Sequence, residues 1–251
     1  MGALGYFSIA TAISMSAVPI GAQIAEPILT NSAIPFTPGS GGVKLDFVTG
    51  IGRGGGASQA IPEATLQVGA LRGLEVLVRF PLLRVRLPSP VIGGGHIAMG
   101  ARYLFAGGGQ RRYALSSEVI AEAPTGDTRL VGDATEVIPA LLAEWRPMSA
   151  IAIHSTIRFD HSLGRTSANI AFLEYESAVV WAASDHFAPA FEFVGSTNTI
   201  TSRTRVIVQP EVITRHGLHW EAKAGLQLGL NRLTPSVGIR TQLAWFWGKR
   251  E

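Results

Sequence analysis

From Val43 to Trp247 the chain repeats a single pattern: short runs in which apolar and polar side chains alternate at period two, separated by Gly, Pro and polar turn residues. Such alternation sends apolar side chains to one face of a strand and polar ones to the other. The last run shows it most fully. Val237, Ile239, Leu243, Trp245 and Trp247 share a face on which Thr241 is the one polar residue, whereas Gly238, Arg240, Gln242 and Ala244 occupy the other. One such strand fits the half-buried sheet of any soluble protein. About a dozen in succession, with little else between them, restrict the chain to an all-β architecture.

The polar faces are fully charged, and in both signs. Alternation places Glu63, Glu75, Arg79, Arg102, Glu118, Glu122, Glu144, Arg146 and Arg158 opposite apolar neighbours, and then Glu174, Glu176, Glu192, Arg205, Glu211, Glu221, Lys223 and Arg240. A wet or ion-paired lumen accepts such residues; the interior of a β-sandwich does not. The apolar faces carry aromatics towards strand ends: Phe80, Tyr103, Phe105, Trp145, Phe159, Trp181, Phe187, Trp220, Trp245 and Trp247. Those positions match interfacial girdles. The connections also alternate in length. Short turns at 72–73, 106–111, 146–149, 182–186 and 215–217 would lie on one side. Longer ones at 52–62, 85–95, 124–135, 161–168, 195–204 and 231–236 would lie on the other.

These features predict a closed antiparallel transmembrane β-barrel of about 12 strands. Closure follows from the backbone. In hydrocarbon an unpaired N–H or C=O costs several kcal/mol, so the first and last strands have to pair. The last strand, with its aromatic ending, is therefore structural first.

The rest of the chain agrees with this reading. With 29 Gly and a charged fraction of 16%, composition suits a Gly-rich β protein more than a helical one. No run of about 18 apolar residues follows the N-terminal stretch, so no transmembrane helix is expected. Residues 1–22 are apolar and small and end in Gly21-Ala22, which resembles a secretory signal peptide, although the stretch has no Lys or Arg ahead of its apolar part. Residues 23–42, with Pro27, Pro35, Pro38 and a Gly-rich end, read as an extended lead-in, and 43–251 as the barrel. The compartment implied is the outer membrane, with its lipid and a small solute as partners. The net charge of +3 comes from scattered Arg rather than a basic block, which gives nucleic acid no binding surface.

Gly93-Gly-Gly-His-Ile-Ala-Met-Gly-Ala-Arg-Tyr103, followed by a strand ending Ala121-Glu-Ala-Pro-Thr-Gly126, resembles the Gly-Asp, Lys-Tyr and Pro-Thr-Gly pattern of the outer-membrane transporter family of the MetA pathway of phenol degradation. Arg72-Gly-Leu-Glu-Val76 is similar to that family's Gly-Leu hairpin, and His96 stands where the family shows Asp. The resemblance covers roughly residues 40–247. It implies a barrel channel for small compounds, aromatic and apolar ones among them.

Enzyme readings find little footing. Absence of Cys removes thiolate metal sites and a Cys nucleophile, and the six His are scattered without metal spacing. His161 and Ser162 superficially resemble an outer-membrane lipid hydrolase, but adjacent residues point to opposite faces of a strand. Glu174 and Glu176 look like a glycosidase pair, yet same-face neighbours are an automatic product of alternation. His96 follows three glycines without a Gly-x-Ser-x-Gly elbow, and 52–56 lacks the Gly-Lys-Ser/Thr of a phosphate loop. No cofactor is implied. The expected function is passive transport of small compounds, set against a non-transporting structural or surface barrel whose lumen is sealed by ion pairs, and more remotely a membrane-embedded lipid hydrolase.

Overall fold

The computed structural model describes residues 31–51, 59–81, 84–86, 91–109, 111–128, 134–163, 171–217, 219–234 and 237–248. The signal-like stretch 1–22 lies outside them. The strands are β1 Gly41–Ile51, β2 Gln59–Leu71, β3 Leu74–Pro81, β4 Arg84–Arg86, β5 Val91–Gly93, β6 Ile97–Gly107 and β7 Tyr113–Ala123. They continue as β8 Thr135–Met148, β9 Ile151–Leu163, β10 Ala171–Trp181, β11 Phe187–Asn198, β12 Arg203–His216, β13 Trp220–Gly229 and β14 Val237–Trp247. β4 and β5 form a small hairpin attached to the end of β2, so that β3 pairs directly with β6. The other strands close into a 12-stranded antiparallel barrel.

The seam is β1 against β14, paired without interruption from Gly41↔Trp247 to Ile51↔Val237, while β1 pairs β2 on its other side. Neither strand leaves an open edge, as a sheet in lipid requires. Aromatic rings cover the glycines of the seam: a Cβ on Gly41 would lie 2.5 Å from the Trp247 ring, and one on Gly42 the same distance from Phe246. Pro139 and Pro210 sit inside strands and, having no N–H, interrupt a ladder on one side. The β8–β9 register skips from Val137↔His161 to Ala140↔Arg158, and β12–β13 from Val208↔Leu228 to Glu211↔Gly225.

The usual distribution of side chains is inverted. Met99, Leu141 and Ile157 are 63%, 60% and 57% exposed, whereas Arg102, Glu75 and Glu192 are wholly enclosed. A contiguous apolar exterior of this extent is the surface of a membrane-embedded barrel.

One end of the barrel is closed by short turns, of which Arg72-Gly73 has only two residues and uses a positive φ of 72° at Gly73. All five Trp lie on strands close to this short-turn end: Trp145, Trp181, Trp220, Trp245 and Trp247. The opposite connections are longer, with one exception. The loop expected over 195–204 is a four-residue hairpin at 199–202, because alternation continues through its Ser and Thr residues. The Asn198 carboxamide oxygen accepts from the N–H groups of Ile200 and Thr201 at 3.0 and 2.8 Å, and Ser202 takes the left-handed conformation at φ 53°.

The two motifs of the family resemblance meet at the long-loop end. Thr125 Oγ1 accepts from the Ile97 N–H, Gly126 N–H donates to His96 Nδ1 and Asp127 N–H to the Gly94 carbonyl. A Cβ on Gly93 would collide with Asp127, so the glycine permits the approach. These residues clasp two loops together.

The lead-in has the least expected course. Its described part, residues 31–40, forms no strand of its own, and β1 starts at Gly41. It crosses the inside of the barrel at the short-turn end, with Ala33, Ile34 and Phe36 at 0%, 4% and 2% exposure.

Candidate functional site

The barrel interior is a lattice of ion pairs whose geometry follows from strand register. Glu75, Arg102 and Glu118 sit directly opposite one another on β3, β6 and β7. Arg102 Nε and Nη2 both donate to Glu118 Oε2, at 3.0 and 2.6 Å, and Nη1 lies 3.4 Å from Glu75 Oε1. Nearer the long loops, Arg79 reaches diagonally to Glu63 at 3.2 Å and, over Ala98, to Glu122 at 3.6 Å. Arg158 on β9 serves Glu176 at 2.9 Å and Glu174 at 4.0 Å on β10. In each group one guanidinium bridges two carboxylates, a geometry suited to its fixed fork of donors.

The other expected wall residues are distributed as follows. Arg146 Nε donates to Glu144 at 2.7 Å, with His154 at 3.5 Å from the same carboxylate. Gln209 donates to Glu192 and Glu211 at 2.7 and 3.2 Å. Glu221 lies between Arg215 at 3.0 Å and Lys223 at 3.6 Å. Arg205 pairs in register with Ser196 and is exposed near the long-loop end. Arg240 turns across the seam to Asp46 at 3.5 Å, which also accepts from Gln242 at 2.9 Å.

Several interior groups were not singled out from the sequence: Lys44 and Asp46 on β1, Glu136, His154 and Asp160 on β8 and β9, and Arg215. All lie on the polar side of their strand, so alternation contained the signal. Of the lipid-hydrolase pair, Ser162 is buried while exposed His161 stacks on Phe159 with ring centroids 5.8 Å apart. The two point to opposite sides of β9.

Between the ion-pair groups and residue 31 is a cavity of about 350 Å³. Its walls include Lys44, Arg79, Arg158 and Arg240, with Asp46, Glu63 and Glu176 between them. Thr65, Gln67 and Gln242 add neutral hydrogen-bonding groups, and among the described residues Val48 and Leu77 are the only apolar ones in its lining. The volume lies within the range of small-molecule sites, and the polar surface can bind both poles of a charged or hydroxylated solute.

The chain has the fold of the outer-membrane channel barrels. It superposes on the COG4313 outer membrane channel from Pseudomonas putida F1 with a TM-score of 0.63 at 12% identity, covering 89% of this chain and all (100%) of that one. The NanC porin gives a TM-score of 0.57 at 8% identity, with 82% and 99% covered, and the KdgM porin 0.56 at 6%, with 80% and 98% covered. No protein-family model matches the sequence, and neither does any curated protein.

Proposed function

We propose that this chain is a passive outer-membrane channel for small polar solutes. The observation that carries the reading is the cavity inside a closed barrel, lined almost throughout by charged and amide side chains. The family resemblance implied aromatic and apolar compounds as well. The lining favours polar ones, because an apolar solute would separate these side chains from water without replacing their hydrogen bonds. A barrel of similar fold, the KdgM porin, has been solved in complex with oligogalacturonate, a chain of sugar acids, which supports the same choice. In this reading the short-turn end faces the periplasm, the long loops face outward, and residues 1–22 direct export.

A sealed structural barrel is the second reading. It is favoured by the ion-pair lattice and by residues 32–36, which lie buried inside the short-turn end. Liposome swelling separates the two. Proteoliposomes containing folded protein should admit small sugars and sugar acids faster than they admit apolar-substituted solutes of equal size. Absence of any flux with folded protein rejects the channel.

A further inference from the structure

Four buried polar atoms on side chains that line the cavity have no hydrogen-bond partner: Oε1 of Gln67, Oε1 of Gln242, and the Nε–H groups of Arg158 and Arg240. Gln67 and Gln242 are only 2% and 5% exposed, and a buried polar group costs free energy until something bonds to it. Other atoms of the same side chains are engaged. Gln242 Nε2 donates to Asp46 at 2.9 Å, and Arg158 Nη2 donates to Glu176 at 2.9 Å. The nearest approach of Arg158 Nε to a carboxylate is 4.0 Å, to Glu174, which is past hydrogen-bonding range.

The four atoms belong to two facing walls. Gln67 on β2 and the pair Arg240 and Gln242 on β14 flank β1 at the seam. Arg158 is on β9, which stands half-way round the barrel from β1 in either direction. Lined from both walls, the cavity lies across the bore.

The charges of this lining are already matched. Each of its four guanidiniums holds a carboxylate at 3.5 Å or less, so an entering ion would add an uncompensated charge to a paired set. An anion would also meet two carbonyl oxygens, and a cation two Nε–H donors. The unused capacity is neutral: two acceptors and two donors. A hydroxyl supplies both counterparts, with one O–H to give and two lone pairs to accept. The terminal torsion of Gln is soft, so a small turn of each amide brings its oxygen to a solute hydroxyl.

We infer that the cavity is a binding site for a neutral polyhydroxylated solute, whose hydroxyls donate to Gln67 and Gln242 and accept from Arg158 and Arg240. The inference rests on the channel reading and narrows it: neutral polyols are preferred to sugar acids, and their passage is saturable.

Three open-chain six-carbon probes that differ at one end test it at pH 7: sorbitol, gluconate and protonated glucamine. In equilibrium dialysis against the folded protein in detergent, sorbitol should be retained saturably, and the two ions severalfold less at equal concentration. Gln67→Met, which keeps the length of the side chain but removes its carbonyl oxygen, should weaken sorbitol retention severalfold. Gln67→Glu should reverse the order in favour of protonated glucamine. Should these variants fail to fold, the comparison of the three probes on the natural chain decides alone. In proteoliposomes, sorbitol uptake should level off over the concentration range in which retention saturates. Equal retention of the three probes, gluconate retained best, or no retention with uptake intact would overturn the site while leaving the channel. Saturable retention of sorbitol by a protein that admits none of the probes would keep the site and overturn the channel reading.

Discussion

Arg102 is enclosed with Glu75 and Glu118 at 0%, 0% and 2% exposure, so its charge has no exit to bulk solvent. Removing one partner of such a group is costly, because the remaining charges keep their desolvation penalty and lose their compensation. Arg102→Met should destabilise the barrel by about 3–5 kcal/mol, read as a lower urea midpoint for loss of the folded, heat-modifiable band on gels. Neutralising the whole group as Glu75→Gln/Arg102→Met/Glu118→Gln should recover most of that loss. If the single and triple variants unfold at the same urea concentration, the group does not act as a unit. At this scale the face of each residue was legible in the sequence, because one residue's shift along a strand reverses its side. Partner choice was legible only where partners share adjacent hairpins. Asp46 and Arg240 meet across a seam between the two ends of the barrel sequence, and no local pattern announces that contact.

Among the elements, β14 carries the closure. It gives one edge to β13 and the other to β1, and both registers run along almost its full length. Leu243 is central, opposite Leu45 on one side and Ala222 on the other. Leu243→Pro would remove a ladder donor and leave the partner carbonyl unpaired in lipid, where an unsatisfied backbone group costs several kcal/mol. The expected result is a chain that never acquires heat-modifiability when refolded into detergent, whereas Leu243→Ala folds. Normal folding of the proline variant would show that the seam is dispensable. The bounds of β14 were fully readable because its alternation runs from Val237 to Trp247 with Thr241 as the one polar residue on its apolar face. The 199–202 hairpin was not, since Ser, Thr and Asn serve equally as strand and as turn residues. The inward course of residues 31–40 was invisible for a related reason: a segment that bonds to the wall through single side chains has no period. Ser32, Ala33 and Phe36 carry no pattern that distinguishes a segment inside the barrel from a linker outside it.

For the molecule as a whole, the decisive quantity is where apolar surface meets lipid. Strands such as β1 and β14, each with 11 residues, match the length a tilted strand needs to cross hydrocarbon. The Trp residues add an orientation to that span. Trp145, Trp181, Trp220 and Trp245 are 54%, 55%, 46% and 40% exposed on the outer surface, and Trp247 ends the same face of β14. All five therefore ring one rim of the barrel, while Phe80 and Phe159 mark strand positions nearer the other. Indole rings settle at the headgroup level, where one edge is apolar and the N–H remains wet. Trp emission from the protein in bilayers should consequently be quenched strongly by lipids brominated near the headgroup and weakly by lipids brominated at the chain end. The two quenchers reverse in order if the strands lie deeper or tilt so far that the rim enters the hydrocarbon. Neither quencher acts if the apolar exterior is covered by protein instead of lipid, and that outcome would remove the physical basis for reading the charged interior as a path for solute.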